Sequence, residues 1–121
     1  DTYGPETSGL SQPVTSEYFT SNGFVTNNFD RCTLLPALAN FTLTPTDLTL
    51  GSAGAPEVDS TLVSQTLTLG TANINFTAPG AGHQGFIDTL LDLNAHGLPW
   101  LRPYNDQNSA FENEVSGRVQ F

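Results

Sequence analysis

Two short runs separated by three residues constrain this chain more than anything else in it. Thr66-Leu67-Thr68-Leu69 alternates polar and apolar, and Asn73-Ile74-Asn75-Phe76-Thr77-Ala78 resumes the alternation. Successive strand residues point to opposite faces, so this period of two predicts paired strands with Leu67, Leu69, Ile74, Phe76 and Ala78 on one buried face. Gly70-Thr71-Ala72 between them is short enough for a tight hairpin. Pro79-Gly80-Ala81-Gly82 supplies a second turn, and Gly85 to Leu93 reads as a third strand. On that strand Asp88 and Asp92 share one face, and Ile87, Leu91 and Leu93 the other.

The flanking sequence continues in the same style. Val14 to Tyr18 and Phe24 to Thr26 predict a first hairpin, Pro13 to Thr26, around Ser21-Asn22-Gly23. Thr33 to Asn40 has room for a helical turn limited by Pro36. Phe41 to Thr44 alternates, with Asp47 to Leu50 as a continuation, and Gly51 to Ser60 reads as an exposed loop. Val115 to Phe121 closes the chain as a last strand. Strand signals every ten to fifteen residues, with no amphipathic helix, predict an all-β domain: an immunoglobulin-like β-sandwich, or alternatively an irregular two-sheet arrangement. The expected core is Val14, Tyr18, Val25, Phe41, Leu43, Leu67, Leu69, Ile74, Phe76, Ile87, Leu91, Leu93, Trp100 and Val119. Trp100, between Leu98 and Leu101, is expected to plug it.

With 121 residues the chain fits a single domain spanning 1–121. It begins at Asp1 and has no Met, which reads as a processed product or a fragment of a larger surface protein. Charged residues make up only 12%, and the polar surface is Thr, Ser, Asn and Gly. There is no lysine, and the net charge is −9. Nucleic acid and anionic membranes both need a positive face, so neither is an expected partner. No apolar run is long enough to span a bilayer. The acidic, lysine-free composition leans towards a secreted or surface location.

Candidate chemistry is sparse. Asp88 and Asp92 on one strand stand about 13 Å apart, beyond the roughly 5–9.5 Å of a glycosidase pair. His83 and His96 have no partner at a metal-ligand spacing, and no G-x-S-x-G nucleophile motif occurs. No catalytic, cofactor or metal residue is assigned. The run Asn105 to Glu114 has too few ordered carboxylates for Ca²⁺, although Tyr104 and Asp106 in that region are candidates for binding a ligand such as a surface glycan. Cys32 is the single cysteine and reads as a buried apolar residue or as half of an intermolecular bridge. Val115, Val119 and Phe121 are candidate intermolecular contacts. The lysine-free strands Thr66 to Leu69 and Val115 to Phe121 offer sheet edges on which other subunits, or other parts of a parent protein, are expected to assemble by strand donation.

Several blocks carry a family resemblance. Tyr3-Gly4-Pro5-Glu6, Gln12-Pro13-Val14, Glu17-Tyr18-Phe19, Gly23 to Asn27, Asp30-Arg31-Cys32-Thr33, Ala78 to Gly82, Leu91-Asp92-Leu93 and Leu98-Pro99-Trp100-Leu101 occur in order. Together they resemble the C-terminal domain of MshQ-like proteins, bacterial surface proteins encoded with MSHA-type pili. The resemblance implies a bacterial envelope location and a non-enzymatic structural or adhesive role tied to pili or filaments. A carbohydrate-binding module is the alternative. The chain departs from the family pattern after Pro99-Trp100-Leu101, where an acidic, glycine-rich loop is replaced by Arg102 to Asn108. It also departs by lacking an outer strand at each end.

Overall fold

The computed structural model describes residues 1–51, 56–105 and 107–121. Its strands are β1 (Thr2–Tyr3), β2 (Leu10–Thr15), β3 (Glu17–Thr20), β4 (Gly23–Thr26), β5 (Thr42–Thr46), β6 (Thr49–Leu50), β7 (Glu57–Val58), β8 (Ser60–Leu62), β9 (Thr71–Phe76), β10 (Phe86–Asp92), β11 (Tyr104–Asn105), β12 (Ala110–Phe111) and β13 (Glu114–Gln120). Two short 3-10 turns, Leu38–Asn40 and Pro99–Leu101, complete the list.

Seven strands form two facing sheets. One has the order β1-β13-β10-β5 and the other β2-β9-β8. All neighbours are antiparallel except β1, which runs parallel to β13 through Thr2↔Val119 and Tyr3↔Gln120. This is the Greek-key order of an immunoglobulin-like sandwich. The core lies between the sheets. β9 contributes Ala72, Ile74 and Phe76, β10 contributes Ile87 and Leu91, and β13 contributes Val119. The period of two in β10 is unbroken: Ile87, Thr89 and Leu91 are buried, while Asp88, Leu90 and Asp92 alternate outward.

Three expectations about strands need correction. Thr66 to Leu69 is not a strand of the main sheets. Thr66 makes a lone bridge to Leu34, and Leu67 N–H donates to Thr33 O (3.1 Å). The strand that does pair with β9 on that side is β8, which begins at Ser60, eight residues before Thr68. Thr68 and Thr71 exchange both backbone bonds (2.9 and 3.1 Å) around Leu69 and Gly70, whose φ values are 53° and 77°. Positive φ at both central residues makes this a type I′ turn. Leu69 is therefore thrown outward instead of joining the core.

The first hairpin also differs. Val14 belongs to β2, which pairs with β9, and the chain bends at Ser16 before β3 and β4 form their own ribbon. That ribbon pairs with neither main sheet, so Tyr18 and Val25 are exposed. Gly51 to Ser60 is not all loop, because β7 pairs with β6 and Val58 is fully buried; residues 52–55 lie outside the described residues. Trp100 is the fourth misplaced core residue, at 68% exposure. Side chains three apart eclipse in a 3-10 turn. Leu98 and Leu101 therefore share the inward side at Pro99–Leu101, and Trp100 points out.

Candidate functional site

The connections β2 to β5, β8 to β9 and β10 to β13 all emerge at one end of a sandwich with this topology. In this chain they carry the insertions: the β3–β4 ribbon and the loop after it, the Leu69-Gly70 turn, and the Pro99–Leu101 turn with the β11–β12 hairpin. The same end carries most of the exposed large apolar side chains. Phe19, Phe24, Phe29, Leu34, Val63, Leu69, Trp100, Tyr104 and Phe111 join the exposed Tyr18 and Val25 there, and only Tyr3 and Leu50 are exposed elsewhere among the described residues. Phe29 is 90% exposed.

Physical reasons for this exposure lie in the local sequence. A two-stranded ribbon has no second layer, and β3 pairs Tyr18 with Val25 and Phe19 with Phe24, putting apolar pairs on both of its faces. Phe19 and Phe24 pack edge to face with centroids 5.3 Å apart. Tyr104 and Phe111 make the same contact across β11–β12 at 5.2 Å. Arg102 is fixed beside them. Its Nε donates to Pro99 O (3.1 Å), a terminal nitrogen donates to Asn113 Oδ1 (3.0 Å), and the guanidinium lies 5.7 Å from the Phe111 centroid. Between the β3–β4 ribbon and the Pro99–Leu101 turn runs a cleft of about 200 Å³, with Phe24, Trp100, Arg102 and Glu17 at its rim and Leu35, Leu67 and Leu93 at its floor.

Polar side chains hold the loops of this end in place. Asp30 Oδ1 accepts from the amides of Cys32 (3.2 Å) and Thr33 (3.0 Å), and its Oδ2 accepts from the Thr33 hydroxyl (2.7 Å). Partial burial pulls the Asp30 pKa upward, but the bonds from Thr33 and Cys32 outweigh it and hold the carboxyl below its usual value. The buried Ser16 hydroxyl also favours the charged carboxylate, although it makes no hydrogen bond of ordinary geometry. Glu112 Oε1 accepts from the side-chain amides of Asn108 and Asn105 (2.8 Å each), which lowers its pKa.

The residues singled out from sequence scatter. Tyr104 is at the loop end and exposed; Asp106 lies outside the described residues. Cys32 is exposed and unbridged in the chain, so the buried reading does not hold. Val115 is half-buried in the cleft wall. Val119 and Phe121 face the core and are not surface contacts; only their backbone is at the sheet. Asp88 is engaged bidentately by Arg118 (2.6 and 2.9 Å), which stacks over Phe86 at 3.9 Å. That pairing lowers the Asp88 pKa and raises the Arg118 pKa. Asp92 Oδ1 instead accepts from Ala95 N–H (2.9 Å), so the two carboxylates have separate structural duties. Among the described residues no three His, Cys, Asp or Glu side chains gather at one point.

The whole length of the chain, residues 1–121, matches the family described as DUF6701, fourth domain. The chain belongs to that family. No curated protein and no solved structure matches this DUF6701 domain. Sequence reasoning named Tyr104 but missed the rest of the aromatic end, because it placed Tyr18 and Trp100 in the core and gave Phe19, Phe24 and Phe29 no role. The available signal was the loss of alternation: Tyr18-Phe19 and Phe24-Val25 place apolar residues side by side, which no one-sided strand can bury.

Proposed function

We propose that this DUF6701 domain is a non-enzymatic binding module of a bacterial surface protein, with a structural or adhesive role tied to pili or related filaments. The observation that carries the reading is the aromatic loop end. Eleven large apolar side chains stay in water on three connections at one end of the domain, and exposed apolar side chains gathered in this way point to an interaction site. The immunoglobulin-like scaffold places such loops on a rigid frame, which is the usual arrangement for recognition. Each of the carboxylates Asp30, Asp88, Asp92 and Glu112 is engaged in holding a loop or a strand, which leaves them poorly placed for acid–base work. The resemblance of the ordered sequence blocks to MshQ-like proteins is what supports the bacterial envelope and the pilus connection.

A carbohydrate ligand is the second reading. The Tyr104–Phe111 ring pair beside Arg102, Asn105 and Asn108 combines an apolar platform with hydrogen-bonding groups. Purified domain coated on beads is applied to isolated pili, to bacterial cells and to a glycan array, alongside a Phe19→Ser/Phe24→Ser/Trp100→Ser variant. Loss of retention on pili or cells in the variant supports the first reading. Glycan binding that disappears in Tyr104→Ala supports the second. Retention unchanged in both variants removes the loop end from consideration.

A further inference from the structure

The cleft at the loop end has two unlike walls. One is the β3–β4 ribbon, with Glu17 and Phe24; the other is the Pro99–Leu101 turn, continued by Arg102 and Pro103. Leu35, Leu67, Leu91 and Leu93 lie beneath and are all buried. Phe24 and Trp100 stand over them, both mostly exposed. The volume of about 200 Å³ is below the roughly 300–1,000 Å³ of pockets that take a whole small molecule. It suits a single large aliphatic side chain.

Charge is distributed unevenly around this mouth. The chain has only three basic side chains, all arginine. Arg118 neutralises Asp88. Arg102 instead meets neutral oxygens: its Nε and one terminal nitrogen donate to Pro99 O and Asn113 Oδ1. Those bonds, with the Phe111 ring alongside, fix the plane of the guanidinium. A guanidinium has more N–H groups than two bonds use, and the rest are unpaired among the described residues. Across the cleft the Glu17 carboxylate is exposed and makes no ion pair among the described residues, with Arg102 or any other cation. An aliphatic floor therefore lies between a fixed positive wall and a negative one. Tryptophan and arginine at one cleft are also the residue types that dominate binding hot spots.

Each feature excludes some occupants. A sugar would bury hydroxyls against leucine side chains that cannot bond to them. A fatty acid brings a carboxylate for Arg102 and nothing for Glu17. A polypeptide offers all three groups on consecutive residues. A second copy of this sequence does not supply them, because none of its arginines stands two residues from an Asp or Glu.

We infer that the cleft receives an aliphatic side chain from an extended segment of a partner protein, flanked by an acidic residue on the Arg102 wall and a basic residue on the Glu17 wall. This rests on the loop end being the binding surface and adds the chemistry which that surface selects. The contact with Arg102 is the stronger of the two. Its guanidinium is already immobilised, so little ordering entropy is lost on binding, and it can give a carboxylate two parallel charge-assisted bonds. The Glu17 contact is more exposed and weaker.

The test titrates the domain with acetyl-Gly-Asp-Leu-Lys-Gly-amide and follows the emission of Trp100, the only tryptophan in the chain. A saturable blue shift in the millimolar range is expected as the peptide covers the ring. Asn in place of the peptide's Asp should weaken binding about tenfold. Gln in place of its Lys should weaken it about two- to fourfold, and Ser in place of its Leu should abolish it. Arg102→Gln should remove the preference for Asp over Asn, and Glu17→Gln the preference for Lys over Gln. A loosened turn in Arg102→Gln would weaken both peptides alike, so the ratio reads the contact. If Arg102→Gln does not fold, the Asp-to-Asn ratio of the parent and the Glu17→Gln result decide. No saturable shift, an Asp-to-Asn ratio near one in the parent, or a ratio kept in Arg102→Gln overturns the inference. Should pilus or cell retention still depend on Phe19, Phe24 and Trp100 in that case, the loop end stands as the binding surface and only this ligand class falls.

Discussion

Gly70→Ala tests the local argument most sharply. Gly70 has φ 77°, and a methyl group added there would overlap the Asn27 carbonyl oxygen. The left-handed conformation costs a non-glycine residue roughly 1–2 kcal/mol. Relieving the overlap means moving the Asn27 loop, and that loop is tied to the turn. Gly70 N–H donates to Asp30 O, Ser16 N–H donates to Gly70 O, and Asn27 N–H donates to Ser16 O, at 2.9, 2.9 and 2.8 Å. Loosening two such bonds adds about 2 kcal/mol. Restricting the unfolded chain returns about 0.5 kcal/mol, so the expected loss is about 3 kcal/mol. Gly82→Ala is the control. Gly82 has φ 83° but nothing within 4 Å of the added carbon, so only the backbone term of about 1 kcal/mol applies. Urea unfolding followed by circular dichroism measures both. A Gly70→Ala loss no larger than that of Gly82→Ala would show that the clamp between the turn and the Asn27 loop does not exist.

Other consequences are simpler to check. Leu69→Asn is expected to raise stability by up to about 1 kcal/mol, since Asn tolerates the left-handed turn position better than Leu; a loss above that size in thermal unfolding would contradict the type I′ turn. Trp100→Ala should cost less than about 2 kcal/mol because most of the side chain is already in water, whereas Ile87→Ala should cost about 2–5 kcal/mol. Asp30, Asp88 and Glu112 all have lowered pKa values. Their contribution is full above the ordinary carboxylate range and is lost as pH falls below about 4 through the folded-state values. The urea midpoint should therefore be flat from pH 7 to 5 and drop below pH 4; a drop already between pH 6 and 5 would contradict those shifts.

What could be read from sequence follows from how many faces each strand buries. β9, β10 and β13 each pair on a main sheet with one face on the core, so their alternation was legible, and Ile74, Phe76, Ile87, Leu91 and Val119 are buried where expected. Leu35, Leu48, Val58 and Leu98 are buried without having been named as core, because they sit in short elements or connections where no period operates, whereas Phe121 continues the alternation of β13 and was read as a contact instead. The misplaced residues share another cause. Tyr18, Val25, Leu69 and Trp100 are on a ribbon, a turn and a 3-10 element, and there burial depends on what packs alongside. Nothing in the sequence of Leu98-Pro99-Trp100-Leu101 says which member of the knot faces out until the three-residue repeat of the turn is known. The loop end was illegible for that reason: it is an assembly of such elements.

Edge protection explains how a chain without lysine tolerates these features together. Natural sheets discourage edge-to-edge association with charge, with short edges or with proline. This domain has 12% charged residues and no lysine, so charge is in short supply. β1 and β8 are two and three residues long, which leaves little to pair with. β2 and β5 are six and five residues long, and each carries its proline at an outward position. Pro13→Thr and Pro45→Thr would each restore an N–H to a free edge; Pro13 is exposed, and Pro45, half-buried opposite Ile87, is replaced by a side chain of similar size. The double variant should therefore fold but self-associate, with an association that light scattering reads as a concentration-dependent rise in mass. The parent should show no such rise through those edges. If the double variant scatters like the parent at every concentration, the prolines are not guarding the edges.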